Sequence, residues 1–321
     1  MNKLFISLTA LTLLFGLFLI WPPKEGKADS RPYIVTTTAQ VGDIVLNIAG
    51  DDARVESLMG SGVDPHLYRP TRSDVVRLKR ADMVFYNGLH LEGQMIEMLG
   101  KLADKKPSVA IATGLPKDSL LDFAGPTQHD PHIWMDVGKW IHATDVVKNE
   151  LIRMYPERKA QFSKRAAIYK TQLKELNTHV RSRVKTIPSQ NRILLTAHDA
   201  FGYLGAAYSL EVIGIQGIST ESEAGLKRME ELVDLLVDRQ IPSVFIETSV
   251  SDRNIKALIE GAAARGHKVE IGGELYSDAM GTKGTYEGTY IGMMDHNINT
   301  IVSALGGQTH PLDDRIALNT K

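Results

Sequence analysis

The sequence has 321 residues, a formal net charge of −1 and no cysteine. A charge this close to zero gives no electrostatic footprint for nucleic acid or for a strongly charged membrane surface. Because cysteine is absent, the sequence offers no disulfide, no thiolate for a metal and no N-terminal cysteine to carry a lipid. Any metal site must therefore use nitrogen and oxygen ligands.

An apolar segment from about Leu4 to Trp21 opens the chain, preceded by one lysine and followed by prolines and small polar residues. This order is typical of a secretory signal, and Gly26 to Ala28 supply small residues where a signal peptidase would cut. A permanent membrane anchor is the alternative, because about 18 apolar residues nearly span a bilayer. We predict a cleaved signal at residues 1–28 and export to the periplasm.

Strand and helix patterns alternate along the rest of the chain. In the first half, YIVTTT, RVESLMG, DMVFYNG and SVAIA are typical of strands, and AQVGDIVLNIAG and TRSDVVRLKRA of helices. In the second half, strands are predicted at RILLTAH, EVIGIQG, SVFIET and HKVEIGG, and helices at DAFGYLGAAYS, LKRMEELVDLLVDRQ and NIKALIEGAAARG. Because this alternation indicates mostly parallel sheets with crossover helices, we predict two α/β lobes, at residues 29–150 and 189–321.

The segment between the lobes has a different pattern. From about Pro156 to Thr186 it contains no glycine. Apolar residues recur there at steps of four and three, namely Phe162, Ala166, Tyr169, Leu173, Leu176, Val180 and Val184. The stripe predicts one long amphipathic helix of about 45 Å, at 1.5 Å per residue. We therefore expect residues 151–188 to form a stiff helical connection between the lobes.

Four short segments place a side chain suited to metal binding at the end of a predicted strand or just before a helix. They contain His66 (GVDPHLYRP), His132 (HDPHIWMDV), His198 (LLTAHDAFGYL) and Asp278 (ELYSDAMG). Asp-Pro-His occurs twice, at 64–66 and 130–132, and proline restricts its own backbone and that of the preceding residue. Three imidazoles and a carboxylate suit zinc or manganese, with iron as a further option. Since loops at the carboxyl ends of strands bind ligands in open α/β sheets, we predict one metal site in a cleft between the lobes.

Some of these residues also fit ordinary structural positions. His198 fits the start of a helix capped by Asp199, and Asp278 fits a helix N-terminus. The usual hydrolase motifs are missing, since the sequence has neither a Gly-x-Ser-x-Gly elbow nor a His-Glu-x-x-His helix. A metal site remains the chemistry that this combination of residues favours.

Four further residues near these segments are assigned other roles. His129 is interpreted as a solvated residue, since no histidine-rich tract surrounds it. Glu247, at the end of SVFIET, is interpreted as a residue that orients a ligand or bridges the lobes. Trp134 and Met135 are expected to be packing residues.

The same segments belong to a longer series of motifs that extends over nearly the whole mature chain. The motifs are YIVTTTAQVGDIV, GSGVDPHLYRPTRSDV, NGLHLEG, DPHIWMDV, TAHDAFGYL, IQGISTESEA, FIETSV, GGELYSDAMG and GTYEGTYIGMMDHNI. With them the chain resembles the metal-binding solute-binding proteins of bacterial ABC importers, a TroA-like group of zinc and manganese receptors. The resemblance implies two α/β lobes joined by one long helix, with a buried metal in the cleft.

The resemblance also implies which residues bind the metal, namely His66, His132, His198 and Asp278. Manganese-preferring members of the group carry glutamate at the third of these positions, so His198 favours Zn²⁺. The long histidine-rich loop of some zinc receptors is missing here, because DFAGPTQHDPH has only His129 ahead of the second ligand. Mn²⁺ therefore stays open as the transported ion.

The predicted function is that of an extracytoplasmic, monomeric receptor without enzymatic activity. It captures Zn²⁺ or Mn²⁺ as its transport substrate and delivers the ion to an ABC permease, which an ATPase powers from the cytoplasm. No nucleic-acid partner is expected. The alternatives are an exported metallohydrolase that uses the same four residues with Glu247 as its base, and a metal-binding adhesin.

Overall fold

The N-terminal lobe is built on a parallel sheet. The computed structural model describes residues 30–123, 128–310 and 312, so the predicted signal at 1–28 lies outside the described residues. The elements of this lobe are β1 (Tyr33–Thr36), α1 (Ala39–Ala49), β2 (Arg54–Ser57), α2 (Arg72–Arg80), β3 (Met83–Tyr86), α3 (Ile96–Ala103) and β4 (Ser108–Ala110). The strand order is β2-β1-β3-β4, and adjacent strands pair in parallel.

Two helices follow the N-terminal sheet. They are α4 (Val137–Met154) and α5 (Lys159–Val184), and a short 3-10 turn at Pro156–Arg158 separates them. Pro156 lacks a backbone N–H and disfavours helical backbone at the residue before it, which explains why α4 stops there. The expected connection at 151–188 thus contains the end of α4 as well as α5. The 26 residues of α5 span about 39 Å, somewhat less than the predicted 45 Å.

The C-terminal lobe repeats the strand and helix alternation. Its elements are β5 (Ile193–His198), α6 (Gly202–Tyr208), β6 (Glu211–Gln216), α7 (Leu226–Asp238), β7 (Ser243–Glu247), α8 (Arg253–Ala264), β8 (Glu270–Leu275) and α9 (Tyr290–Ala304). β5 pairs in parallel with β6, β7 pairs in parallel with β8, and β5 lies beside β7. Every residue of β5 is buried, as expected for a strand covered on both faces.

A single hydrophobic core connects the two lobes through α5. All seven residues of the predicted stripe are buried, and they pack in one cluster with α1 of the first lobe and α9 of the second. Smaller clusters lie on the outer faces of the two sheets. Both lobes accordingly belong to one compact unit that begins at Arg31. The long helix is a shared structural element of both lobes.

The helices α3, α4 and α9 are missing from the elements predicted by sequence pattern. α9 buries ten of its fifteen residues, including Gly292, Asp295 and Asn297. A helix covered on most sides does not show the single apolar stripe on which such a prediction depends. Among the described residues, none of the helices has the length and apolar character needed to cross a bilayer.

Candidate metal centre

The structure brings the four predicted metal-binding residues together in the cleft between the lobes. His66 lies in the loop after β2 and His132 in the segment before α4, while His198 is the last residue of β5 and Asp278 follows β8. All four are buried, with at most 3% of any of them exposed. One candidate ligand atom from each lies within 4.8 Å of the other three. Each lobe thus contributes two of the four side chains.

The spacing of these atoms matches a small tetrahedral ion. Bonds of 2.0–2.1 Å from zinc to nitrogen or oxygen place neighbouring ligand atoms about 3.3 Å apart. The Nε2 atoms of His66 and His132 are 3.3 Å apart, and His132 Nε2 lies 3.3 Å from Asp278 Oδ1. Asp278 Oδ2 lies 3.2 Å from His198 Nε2 and 3.6 Å from His66 Nε2. Since both carboxylate oxygens face the imidazoles, Asp278 can bind with one oxygen or with two.

Three of these atoms lack a hydrogen bond of good geometry. Within the described part of the chain, both Asp278 oxygens and His198 Nε2 are buried without a hydrogen-bond partner. Leaving a buried polar atom without a partner costs about 1–3 kcal/mol. A divalent cation bound by these atoms in place of the imidazole protons would give each of them a partner, so the donor set fits a divalent metal.

A carboxylate fixes the orientation of the His132 ring. Asp130 Oδ1 accepts a hydrogen bond from the backbone N–H of His132 at 2.9 Å and lies 2.7 Å from its Nδ1. Tyr203 in turn donates its hydroxyl hydrogen to the carbonyl of Asp130, and Asn87 donates to the carbonyl of Pro131. With the proton of the neutral ring on Nδ1, Nε2 is left as the metal-binding atom.

Glu247 has the same role for His198. At the end of β7, its two carboxylate oxygens accept from the backbone N–H of His198 at 2.9 Å and meet its Nδ1 at 2.6 Å. Glu247 therefore lies behind the ring, on the side opposite Nε2 and Asp278. Of the two roles predicted for Glu247, orienting a ligand or bridging the lobes, these contacts match the first. This position does not suit the general base of a metallohydrolase, because both Glu247 oxygens contact the backbone N–H and Nδ1 of His198 and face away from the place where the four ligand atoms converge.

The four side chains are strongly coupled electrostatically. Burial lowers the pKa of His66 to about 4. For His132, burial alone would lower the pKa, but the Asp130 and Asp278 carboxylates outweigh it and raise the pKa to about 9. For His198, burial is likewise outweighed by Glu247 and Asp278, so its pKa lies well above the usual value. Burial would raise the pKa of Asp278, yet the two neighbouring imidazoles hold it well below its ordinary range. The metal-free site therefore favours a carboxylate between two protonated imidazoles.

The loop that carries Asp278 is held by side chains of the other lobe. Gln40, in the first turn of α1, donates to the carbonyl of Asp278 at 2.8 Å, and the indole N–H of Trp134 donates to the carbonyl of Ser277 at 2.8 Å. Trp134 and Met135 are buried, as expected for packing residues. The contribution of Gln40 is missed by sequence reasoning. The sequence feature that could have identified Gln40 is its position four residues after the end of β1, at the carboxyl edge of the sheet where ligands bind.

The ordinary structural roles considered for His129, Asp199 and Asp278 can be checked against their surroundings. His129 stays outside the cluster, partly buried, with its Nδ1 2.6 Å from Asp122 on the same loop. Asp199 does not cap α6, which begins at Gly202 with Phe201 at the N-cap. Asp278 lies in a loop and not at a helix N-terminus. The burial and convergence of the four side chains set them apart from His129.

Comparison with known proteins shows similarity over most of the chain. The family model described as zinc-uptake complex component A, periplasmic (ZnuA), matches residues 34–304. The manganese-binding lipoprotein MntA of Bacillus subtilis (strain 168) is 47% identical over 278 residues, which cover 87% of this chain and 91% of that protein. The zinc-binding protein TroA of Treponema pallidum (strain Nichols) is 45% identical over 296 residues, with coverage of 92% and 96%. The solved periplasmic zinc-binding protein TroA from Treponema pallidum superposes with a TM-score of 0.84 at 45% identity, covering 86% of this chain and 99% of that chain. Because the family model matches well over half of its length, the chain belongs to the ZnuA family of periplasmic zinc-uptake components.

Proposed function

We propose that this protein captures a divalent transition metal outside the cytoplasmic membrane and delivers it to an ABC permease. One observation carries the proposal. Three imidazole nitrogens and a carboxylate converge within 4.8 Å in a buried cleft, with separations suited to bonds of 2.0–2.1 Å. The names of two relatives support the same reading, since one is a manganese-binding and the other a zinc-binding protein.

We propose Zn²⁺ as the preferred cargo and Mn²⁺ as its competitor, each bound by His66, His132, His198 and Asp278. Separations of 3.2–3.6 Å suit a tetrahedral zinc site with one oxygen from Asp278. If both carboxylate oxygens bind, the coordination number rises and Mn²⁺ becomes acceptable. A site of nitrogen and oxygen ligands normally holds zinc more tightly than manganese, so affinity alone does not identify the cargo in the cell.

The chemistry of the cluster supports carriage over catalysis. A catalytic zinc keeps a position open for water beside a general base, whereas here four protein side chains converge and Glu247 is engaged behind His198. We propose a monomer that works in the periplasm after removal of residues 1–28. In it, residues 29–150 and 189–321 act as the two lobes, and residues 151–188 connect them.

The sharpest test replaces a cluster histidine and compares it with a neighbour on the same loop. His132→Ala should weaken zinc binding by orders of magnitude, because it removes one of four ligands and leaves Asp130 and Asp278 without their imidazole. His129→Ala is the matched control, since His129 lies three residues away and outside the cluster. Competition with a chromophoric zinc chelator measures both affinities.

Equal affinities for the two variants would refute the ligand assignment. The transport part of the proposal is tested separately by uptake of radioactive zinc and manganese in cells that lack the gene. Restoration of uptake by the intact gene, and not by the His132→Ala gene, is the expected outcome. The metal content of protein isolated from its native compartment, with anomalous scattering to identify the ion, then decides between Zn²⁺ and Mn²⁺.

A further inference from the structure

The two Asp-Pro-His tripeptides have the same sequence but make different contacts. In the second copy, one Asp130 oxygen meets both the backbone N–H and the ring Nδ1 of His132. In the first copy, Asp64 Oδ1 accepts only from the backbone N–H of His66, at 2.8 Å. Its other oxygen, Oδ2, accepts from the hydroxyl of Thr220 at 2.5 Å. Thr220 follows β6 in the C-terminal lobe, whereas Asp64 follows β2 in the N-terminal lobe, so this hydrogen bond crosses the cleft.

Thr220 lies in a loop of the C-terminal lobe that touches both lobes. On its own side, Glu223 Oε2 accepts from Gln216 at 3.1 Å and from Asn254 at 3.0 Å, which ties the loop to β6 and α8. Towards the other lobe, Glu221 Oε1 accepts from Gln94 at 3.0 Å, next to the Thr220 contact. The Gln94 bond is exposed, whereas Thr220 is only 9% exposed. The Thr220 hydroxyl therefore makes the more protected of these two bonds across the cleft.

The same loop borders a path to the metal-binding residues. A cavity of about 300 Å³ opens beside it and is lined by Ile218, Ser219 and Glu221 from the loop and by Gln94 from the opposite lobe. Of the four clustered side chains, His66 is the one that lines this cavity. Among the described residues, no carboxylate pairs with its second ring nitrogen, unlike the rings of His132 and His198. His66 is thus the ligand nearest the opening, and its loop is the one held from across the cleft.

We infer that Thr220 is a positioning residue whose hydrogen bond to Asp64 holds the cleft closed and sets the rate at which the metal dissociates from His66. Breaking this bond frees the 64–66 loop from the opposite lobe on the side where the cavity opens. His66 is then the first ligand to leave the metal. The inference rests on the proposed function and adds to it the contact that controls metal release.

The test uses the full chain loaded with Zn²⁺ and three variants. Thr220→Val keeps the shape of the side chain and removes the hydroxyl, and Thr220→Ser keeps the hydroxyl. Thr171→Val is the matched control, because the exposed Thr171 hydroxyl bonds to the backbone within α5, away from the cleft. Stopped-flow capture of zinc by an excess of chelator gives the release rate, rapid mixing of zinc with metal-free protein gives the binding rate, and melting of the metal-free protein reports its folding stability.

Zinc release from Thr220→Val is expected to accelerate roughly tenfold to a hundredfold, as the loss of a hydrogen bond to a charged group predicts. Its binding rate should stay within about twofold of the original, as should both rates of Thr220→Ser and Thr171→Val. An unchanged release rate in Thr220→Val overturns the inference while leaving zinc binding intact. Faster release from a metal-free protein that no longer melts cooperatively also overturns it, because the residue then acts on folding. Failure of the unaltered protein to bind zinc refutes the proposed function itself.

Discussion

Metal binding at this site is expected to release two protons near neutral pH. In the metal-free protein the pKa of His132 is about 9, and that of His198 is also raised well above its usual value, so both imidazoles are protonated at pH 7. The pKa of His66 is lowered to about 4, so its ring is already neutral. Because an imidazole must be neutral to bind a metal, an incoming ion has to displace the protons of His132 and His198.

The size of the pH effect follows from this count. Each displaced proton lowers the dissociation constant about tenfold per unit increase in pH, so two protons give about a hundredfold per unit between about pH 5 and 8. The raised pKa values stabilise the metal-free fold at low pH, and that contribution disappears as the pH rises through about 9. The metal-bound fold needs neutral rings, so the increase in melting temperature caused by zinc should grow as the pH rises.

Isothermal titration calorimetry in buffers with different ionisation enthalpies counts the released protons directly. A plot of observed enthalpy against buffer ionisation enthalpy should have a slope of about −2 at pH 7, because the buffer takes up the two protons that the protein releases. The dissociation constant measured by chelator competition should show the matching pH dependence. A slope near zero, or an affinity that stays constant from pH 5 to pH 8, would refute the reasoning that protonated His132 and His198 compete with the metal.

Two further predictions concern the support of the site and of the fold. Glu247→Gln should weaken zinc binding about 10–100-fold, because it removes the charge that orients His198. An unchanged affinity in chelator competition would contradict this role. Leu173→Ala, in the fully buried stripe of α5, should lower the free energy of unfolding by about 2–5 kcal/mol. Ile168→Ala, on the exposed face of the same helix, should change that free energy by less than about 0.5 kcal/mol. Urea unfolding measures both variants, and an equal loss of unfolding free energy in the two would contradict the packing described for α5.

Much of the fold follows from local pattern. The alternation of strand and helix predicts the parallel sheets, and the stripe from Phe162 to Val184 predicts α5, because burial of one helix face leaves a regular trace in the sequence. α9 leaves no such trace, since it is buried on most sides. The start of α6 at Gly202, three residues after Asp199, also escapes prediction, because a polar residue after a strand fits a helix cap and a loop equally well.

The sequence by itself determined which side chains are available for metal chemistry. Without cysteine, the ligands have to be histidine and carboxylate, and the proline in each Asp-Pro-His restricts the backbone beside His66 and His132. Only the tertiary structure decided what each aspartate does. Asp130 contacts the ring of its own histidine, whereas Asp64 accepts from Thr220, 156 residues further along the chain. Identical tripeptides cannot encode that difference, because a hydrogen-bond partner from another lobe depends on how the whole chain packs.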